Sequence, residues 1–181
     1  HPTQEERQLL QKYIRGAGSE NIDCRLRQAD FSLDGKKVVP WLGMPIADIP
    51  ALDRVLVVGS FLRKDHPLLA QRLRQAAKKA TRVSLLHVAD DDQLIALQAK
   101  SIVAPSALAV ELAGIVKAVA EAKGAAVDAA LAGVQPSAAA KRIAESLASG
   151  EKGAIFLGNF AQQHAQVATL HALAQQLAEL T

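Results

Sequence analysis

The stretch Gly59-Ser60-Phe61-Leu62-Arg63-Lys64-Asp65-His66-Pro67 holds the densest mixture of groups that could grip a ligand. Gly59 would let the backbone approach a bound group closely, and Arg63 and Lys64 stand where they could meet an anion near a helix start. The stretch contains no G-x-G-x-x-G and no G-K-[ST], so the dinucleotide and phosphate-loop fingerprints both fail. The competing and expected reading is a strand-to-helix turn with Asp65 or His66 near the cap. Gly59, Ser60, Arg63 and His66 remain the candidates for a vestigial cofactor site, and no catalytic residue is expected.

Other clusters say less. Asp90, Asp91 and Asp92 could supply oxygen ligands to a hard cation, but they lack the glycine and distal glutamate of a calcium loop, and solvated helix-capping is expected instead. His66, His87, His164 and His171 show no H-E-x-x-H spacing, and His87, within an apolar run, reads as a core or edge residue. Ser60 lacks the second glycine of a nucleophile elbow, and Cys24 has no recognisable base nearby. Neither a metal site nor nucleophilic catalysis is expected.

The elements that must position these residues follow from periodicity. Thr3 and Glu6 have capping-box spacing, Leu9, Leu10, Tyr13 and Ile14 give the first helix one apolar side, and Gly16 ends it. Residues 17–52 hold no sustained period and are interrupted by Gly35, Pro40, Gly43, Pro45 and Pro50. An irregular stretch of this length is functional or lies against other protein. Within it, Ile22, Cys24 and Leu26 alternate with charged residues as a short extended segment would.

Val55 to Val58 read as a strand buried on both faces. Pro67 opens a helix carrying Leu69, Leu73, Ala76, Ala77 and Ala80, and Arg82 to Val88 form the next strand, which makes a βαβ unit with a parallel pair. A short helix after Asp92 and a brief edge strand at 101–104 are expected next. Leu108, Leu112, Ile115, Val116 and Val119 mark an amphipathic helix stopped by Gly124, and 125–136 is an Ala-rich connection. Ser137 caps a helix with Ile143 and Leu147, Ala154 to Leu157 form a strand, and Val167 to Leu177 a last helix. The alternation predicts an α/β domain of three layers over 1–181: a doubly wound, mostly parallel sheet of three to five strands with helices on both faces. Its ligand edge would be the turns Gly59–Pro67, Val88–Asp92 and Gly158–His164, at the carboxyl ends of the strands.

Composition agrees with a folded domain. Of 181 residues half are apolar and 22% charged, and with four Phe, one Tyr and one Trp the core must rest on Leu, Val, Ile and Ala. The net charge of +3 is spread among acidic residues, which gives no nucleic-acid footprint. The single cysteine can form no internal disulfide and cannot furnish the thiolates of an iron-sulfur cluster, which suits a reducing compartment. No run approaches the ~20 apolar residues of a membrane span. The chain opens on His1 without Met and closes at Thr181 with a helical pattern still running, as a piece of a longer chain would.

Three stretches go beyond generic patterning: GAGSENIDCRLRQADF at 16–31, VLVVGSFLRKDHPLLAQRLRQA at 55–76 and IFLGNFAQQH at 155–164. Together they resemble the large iron-sulfur subunit of bacterial NADH:quinone oxidoreductase (respiratory complex I). The middle stretch also looks like the strand-helix turn of the molybdopterin oxidoreductase superfamily. The resemblance implies a scaffold domain of the peripheral arm. Its iron-sulfur clusters would lie elsewhere in the parent subunit, with no cofactor in this part. Its partners would be the rest of that subunit and other complex I subunits, and it would sit in the cytoplasm at the inner face of the plasma membrane through the complex. The alternative it carries is a cofactor-binding domain of a molybdopterin-dependent oxidoreductase. Cofactor-binding relatives usually continue Gly-Ser with Asn and Pro, where this chain has Phe61 and Leu62, and end the second strand in an Asp-Pro-type turn, where Val88 and Ala89 run into three Asp. Cys24 stands where the complex I pattern more often shows His. These departures imply a vestigial site.

Overall fold

Alternation within one short strand decides the layering. In β1 (Arg54–Val58), Val55 and Val57 point to one face and Leu56 and Val58 to the other, and all four are buried, so both faces must be covered. The computed structural model describes residues 3–22, 30, 32 and 42–181. Its sheet has four parallel strands: β1, β2 (Arg82–His87), β3 (Leu97–Ile102) and β4 (Gly153–Leu157), in the order β3-β2-β1-β4. In register, Val55 lies opposite Val83 of β2 and Ala154 of β4. The chain moves outward from β1 to β3, then returns to the other side of β1, so the direction of winding reverses between β1 and β4.

One face is covered by α3 (Pro67–Ala77) and a 3-10 helix at Ile46–Ala51, where Ile49, Leu52, Leu73, Val83, Leu85 and Phe156 form a single cluster. The other face carries α4 (Leu108–Ala122), α5 (Ala138–Ala148) and α7 (Val167–Leu180). Leu108, Leu112, Ile115, Val116 and Val119 of α4 are all fully buried, since this helix lies between the sheet, α5 and α7. An α/β domain with three layers results, as the strand and helix alternation predicts.

Polar groups lock the connections. Arg54 donates from Nε to Ser146 O at 2.8 Å, capping the end of α5. Asp53 accepts from the backbone N–H of Glu151 at 2.8 Å and of Lys152 at 3.1 Å; burial opposes its ionised form, but these bonds and the Arg54 charge outweigh it and hold the carboxyl below its usual range. The Ala-rich connection holds a 3-10 turn at Ala129–Leu131, and Lys117 Nζ fastens it by donating to Ala132 O at 2.9 Å and Val134 O at 2.8 Å.

Three local expectations turn out differently. No helix follows Asp92; the chain runs instead into β3, which begins earlier than 101–104 and alternates Leu97, Ala99 and Ser101 inward with exposed Gln98, Lys100 and Ile102. Its inward side is built partly of small residues, so the period-2 signal is faint. A short α2 (Leu62–Asp65) precedes α3 inside the Gly59 turn, and an equally short α6 (Asn159–Gln162) follows β4. The irregular 17–52 stretch contains the 3-10 helix noted above, while the extended segment read around Cys24 falls outside the described residues. The first helix, α1 (Gln4–Gly16), has the expected capping box between Thr3 and Glu6.

Candidate functional site

Reversal of winding at β1 and β4 opens a crevice beyond their carboxyl ends, the usual ligand position in such sheets. Both strands are followed by glycine, a polar residue and phenylalanine, GSF after β1 and GNF after β4. The glycines bring the two turns together. Gly59 has φ +62°, and a Cβ there would lie 2.7 Å from Ala161 N. Its carbonyl accepts from Phe160 N at 3.0 Å, and Gly158 donates to Val58 O at 2.8 Å, with no room for a side chain against Ser60. Part of the crevice is therefore bridged by backbone.

The donors of the Gly59 turn are already engaged. Asp65 Oδ2 accepts from Ser60 Oγ at 3.1 Å and from Phe61 N at 3.0 Å. A carboxylate of the chain itself thus sits where an anionic ligand would take the same hydrogen bonds. Beside it lies a pocket of about 320 Å³ lined by Phe61, Asp65, His87, Asn159, Phe160 and Gln163. His87, at the end of β2, is 5% exposed; its ring meets Phe160 edge-on at 6.3 Å, and Nδ1 has no hydrogen-bond partner. Burial pushes the His87 pKa down, against the opposing pull of Asp91, whose Oδ2 is 3.9 Å from Nε2, and of Asp65. The imidazole is accordingly neutral near pH 7, and the pocket carries acidic rather than basic character.

The four candidates do not converge. Gly59 and Ser60 lie inside the closed turn. Arg63 stacks over Phe61 at 5.4 Å and leans to Asp92, with Nη1 to Oδ2 3.7 Å. His66 is exposed at the cap position of α3, makes no side-chain capping bond and does not line this pocket. The three aspartates also disperse: Asp90 pairs with Lys100 at 2.7 Å, Asp91 with His87, and Asp92 with Arg63 while accepting from Leu94 N at 2.9 Å. Among the described residues no group of three or more His, Cys, Asp or Glu is arranged to hold a metal. His164 Nδ1 accepts from Gln166 N at 3.1 Å, which leaves Nε2–H to donate to Pro105 O at 2.9 Å; His171 Nε2 lies 2.9 Å from Gln162 Oε1. The imidazoles of His164 and His171 thus have structural partners.

Asp65, Asn159 and Phe160 lie within the turns that the sequence marks as the ligand edge, but it does not single them out as pocket residues. The signal that could have found them is the pairing of GSF with GNF at the ends of two apolar runs.

A parallel sheet in this order, with helices on both faces and a crevice at the reversal, defines a doubly wound α/β domain. Comparison with protein families matches residues 3–181 to molybdopterin oxidoreductase, and the chain belongs to that family. A comparison with curated proteins returns no match.

Proposed function

We propose that this chain is a scaffold domain of the large iron-sulfur subunit of a bacterial NADH:quinone oxidoreductase, and that its ancestral cofactor crevice now serves packing. The carrying observation is the Asp65 carboxylate on Ser60 Oγ and Phe61 N, because it occupies the anion-binding donors of the turn with a group that repels a pyrophosphate. Phe61 adds bulk to the pocket wall, and Arg63 of the same turn stacks over Phe61 and leans to Asp92. The residues present therefore do not fit an anionic pterin dinucleotide at this turn. The three stretches at 16–31, 55–76 and 155–164 support the complex I assignment. In this reading electron transfer runs through clusters elsewhere in the parent chain.

The partners would be the remainder of that chain and its neighbours at the inner face of the plasma membrane. One feature favours this: α1 buries none of its residues and leaves Leu9, Leu10 and Tyr13 exposed.

A second reading, a cofactor-binding domain of a molybdopterin-dependent oxidoreductase, is favoured by the family match along the chain and by the pocket at the β1–β4 crevice. Metal analysis and pterin extraction of the intact parent assembly separate the two. The scaffold reading requires iron without stoichiometric molybdenum or tungsten; a pterin present at one per chain, and lost with Gly59→Val, would establish the second.

A further inference from the structure

The sheet ends in two edges, and they are built differently. The outer strand β3 carries exposed Gln98 and Lys100, with Lys100 Nζ on Asp90 Oδ1 at 2.7 Å, and its register with β2 shifts between Val83 and Ser84. Charge and irregularity of this kind keep an edge from pairing further. On the other side β4 reads Gly-Ala-Ile-Phe-Leu, uncharged, free of proline and in unbroken register with β1. Arg54 N–H donates to Lys152 O at 3.4 Å, and Gly158 N–H to Val58 O at 2.8 Å. Alternate residues of a parallel strand bond to the same neighbour, so Ala154 and Phe156 serve β1, and the N–H and C=O groups of Gly153, Ile155 and Leu157 point outward. No described strand pairs with them. Burial is unfinished as well: Val55 to Val58 of β1 are buried, whereas Ala154, Ile155 and Leu157 stay half-buried although they pack on the two cores.

We propose that the free edge of β4 takes one further β-strand, an extended uncharged segment from the remainder of the parent subunit. Backbone hydrogen bonds to Gly153, Ile155 and Leu157 give it affinity, and its alternate side chains complete the cores beside Ile155 and Leu157 on one face and Ala154 on the other. The position of α7 decides between occupants. This helix packs on β4 and α4 and reaches back to the start of the strand, where a Cβ on Gly153 would lie 3.2 Å from Thr181 Oγ1, so it covers β4 along its length. A lone strand about 4.8 Å beyond β4 fits under the same helix. A second copy joined edge to edge would bring its own α7 to a similar separation, well inside the roughly 8–10 Å that packed helices need. The inference rests on the reading of the chain as part of a larger subunit, and not on which cofactor that subunit holds.

The test is hydrogen exchange of single backbone amides, measured in the isolated chain and in the intact parent assembly. In the isolated chain Ala154 and Phe156 should be protected, and Ile155 and Leu157 should exchange faster. In the assembly Ile155 and Leu157 should slow by on the order of 100-fold or more. Ile155→Pro removes an outward donor and no bond to β1, so the chain should still fold while the assembly loses its protection of Leu157. Ile155 and Leu157 exchanging as fast in the assembly as in the isolated chain overturns the proposal. Protection that is present in the isolated chain and rises with its concentration assigns the edge to a second copy and overturns the choice of occupant. Metal analysis decides the scaffold reading separately: stoichiometric molybdenum in the assembly refutes that reading and leaves the exchange result to stand by itself.

Discussion

The turn after β1 and the connection after β2 leave the same edge of the sheet and treat their buried polar groups in opposite ways. In the first, Gly59 N–H continues the sheet to Leu86 O at 2.8 Å, its carbonyl accepts from Phe160, and Ser60 Oγ and Phe61 N both end on Asp65. In the second, His87 Nδ1 and both amide atoms of Gln93 lack partners although the residues are buried. A satisfied turn is a closed structural joint and resists change. An unsatisfied one stores a cost that a ligand, or a substitution, can relieve.

The strongest challenge to this contrast is at Gly59. Gly59→Val places a branched side chain at φ +62° against the backbone of Ala161, so a loss of roughly 3 kcal/mol or more is expected in denaturant unfolding. Near-normal stability would show that the β1 and β4 turns are not locked together. Asp65→Ala strips the acceptor from two donors at once and should cost about 1–3 kcal/mol, with Asp65→Asn costing less because an oxygen remains. Equal effects from the two variants would mean that the charge, and not the acceptor, holds the turn.

Gln93→Leu should have the opposite sign, stabilising the chain by about 1 kcal/mol, since an apolar side chain of similar size leaves no unmet amide. A destabilised variant would reveal protein partners for Gln93. The smallest effect concerns pH. Burial holds the His87 pKa below 6.5, so the unfolded chain binds this proton more readily than the folded one. Its contribution is complete above that value and is lost as pH falls below it through the folded value. Stability measured by urea unfolding at pH 7 and pH 5 should fall less in His87→Gln than in the parent chain, and identical slopes would remove His87 from the acid response.

Much of the architecture is legible because it rests on local periods. The continuous apolar run at β1, the i, i+4, i+7 spacing of α4 and the Thr3–Glu6 box each report a structure formed by near neighbours. The candidate site is legible only as a set of turns. Gly59 reads as a close-approach position, but what approaches it is Ala161, and no spacing reveals that. Periodicity sets β3 too late because its buried side includes Ala99 and Ser101, too small and too polar to mark a strand. The start of α7 shows the same limit. It has no side-chain cap of its own, and Asp30 accepts from Ala168 N at 3.1 Å as well as from Ser32, bonds that lower the Asp30 pKa, the Ser32 hydroxyl foremost.

By itself the sequence determined the class, the order of most elements and the residues that must be buried, since hydrophobic period and turn chemistry act over a few positions. Only the tertiary structure decided which turn met which, that Asp65 would fill its own turn, that three adjacent aspartates would take three different partners, and that Gln93 would be buried without one. Those outcomes depend on groups brought together from distant parts of the chain, where packing space and unmet hydrogen bonds settle the result and local pattern carries no record of it.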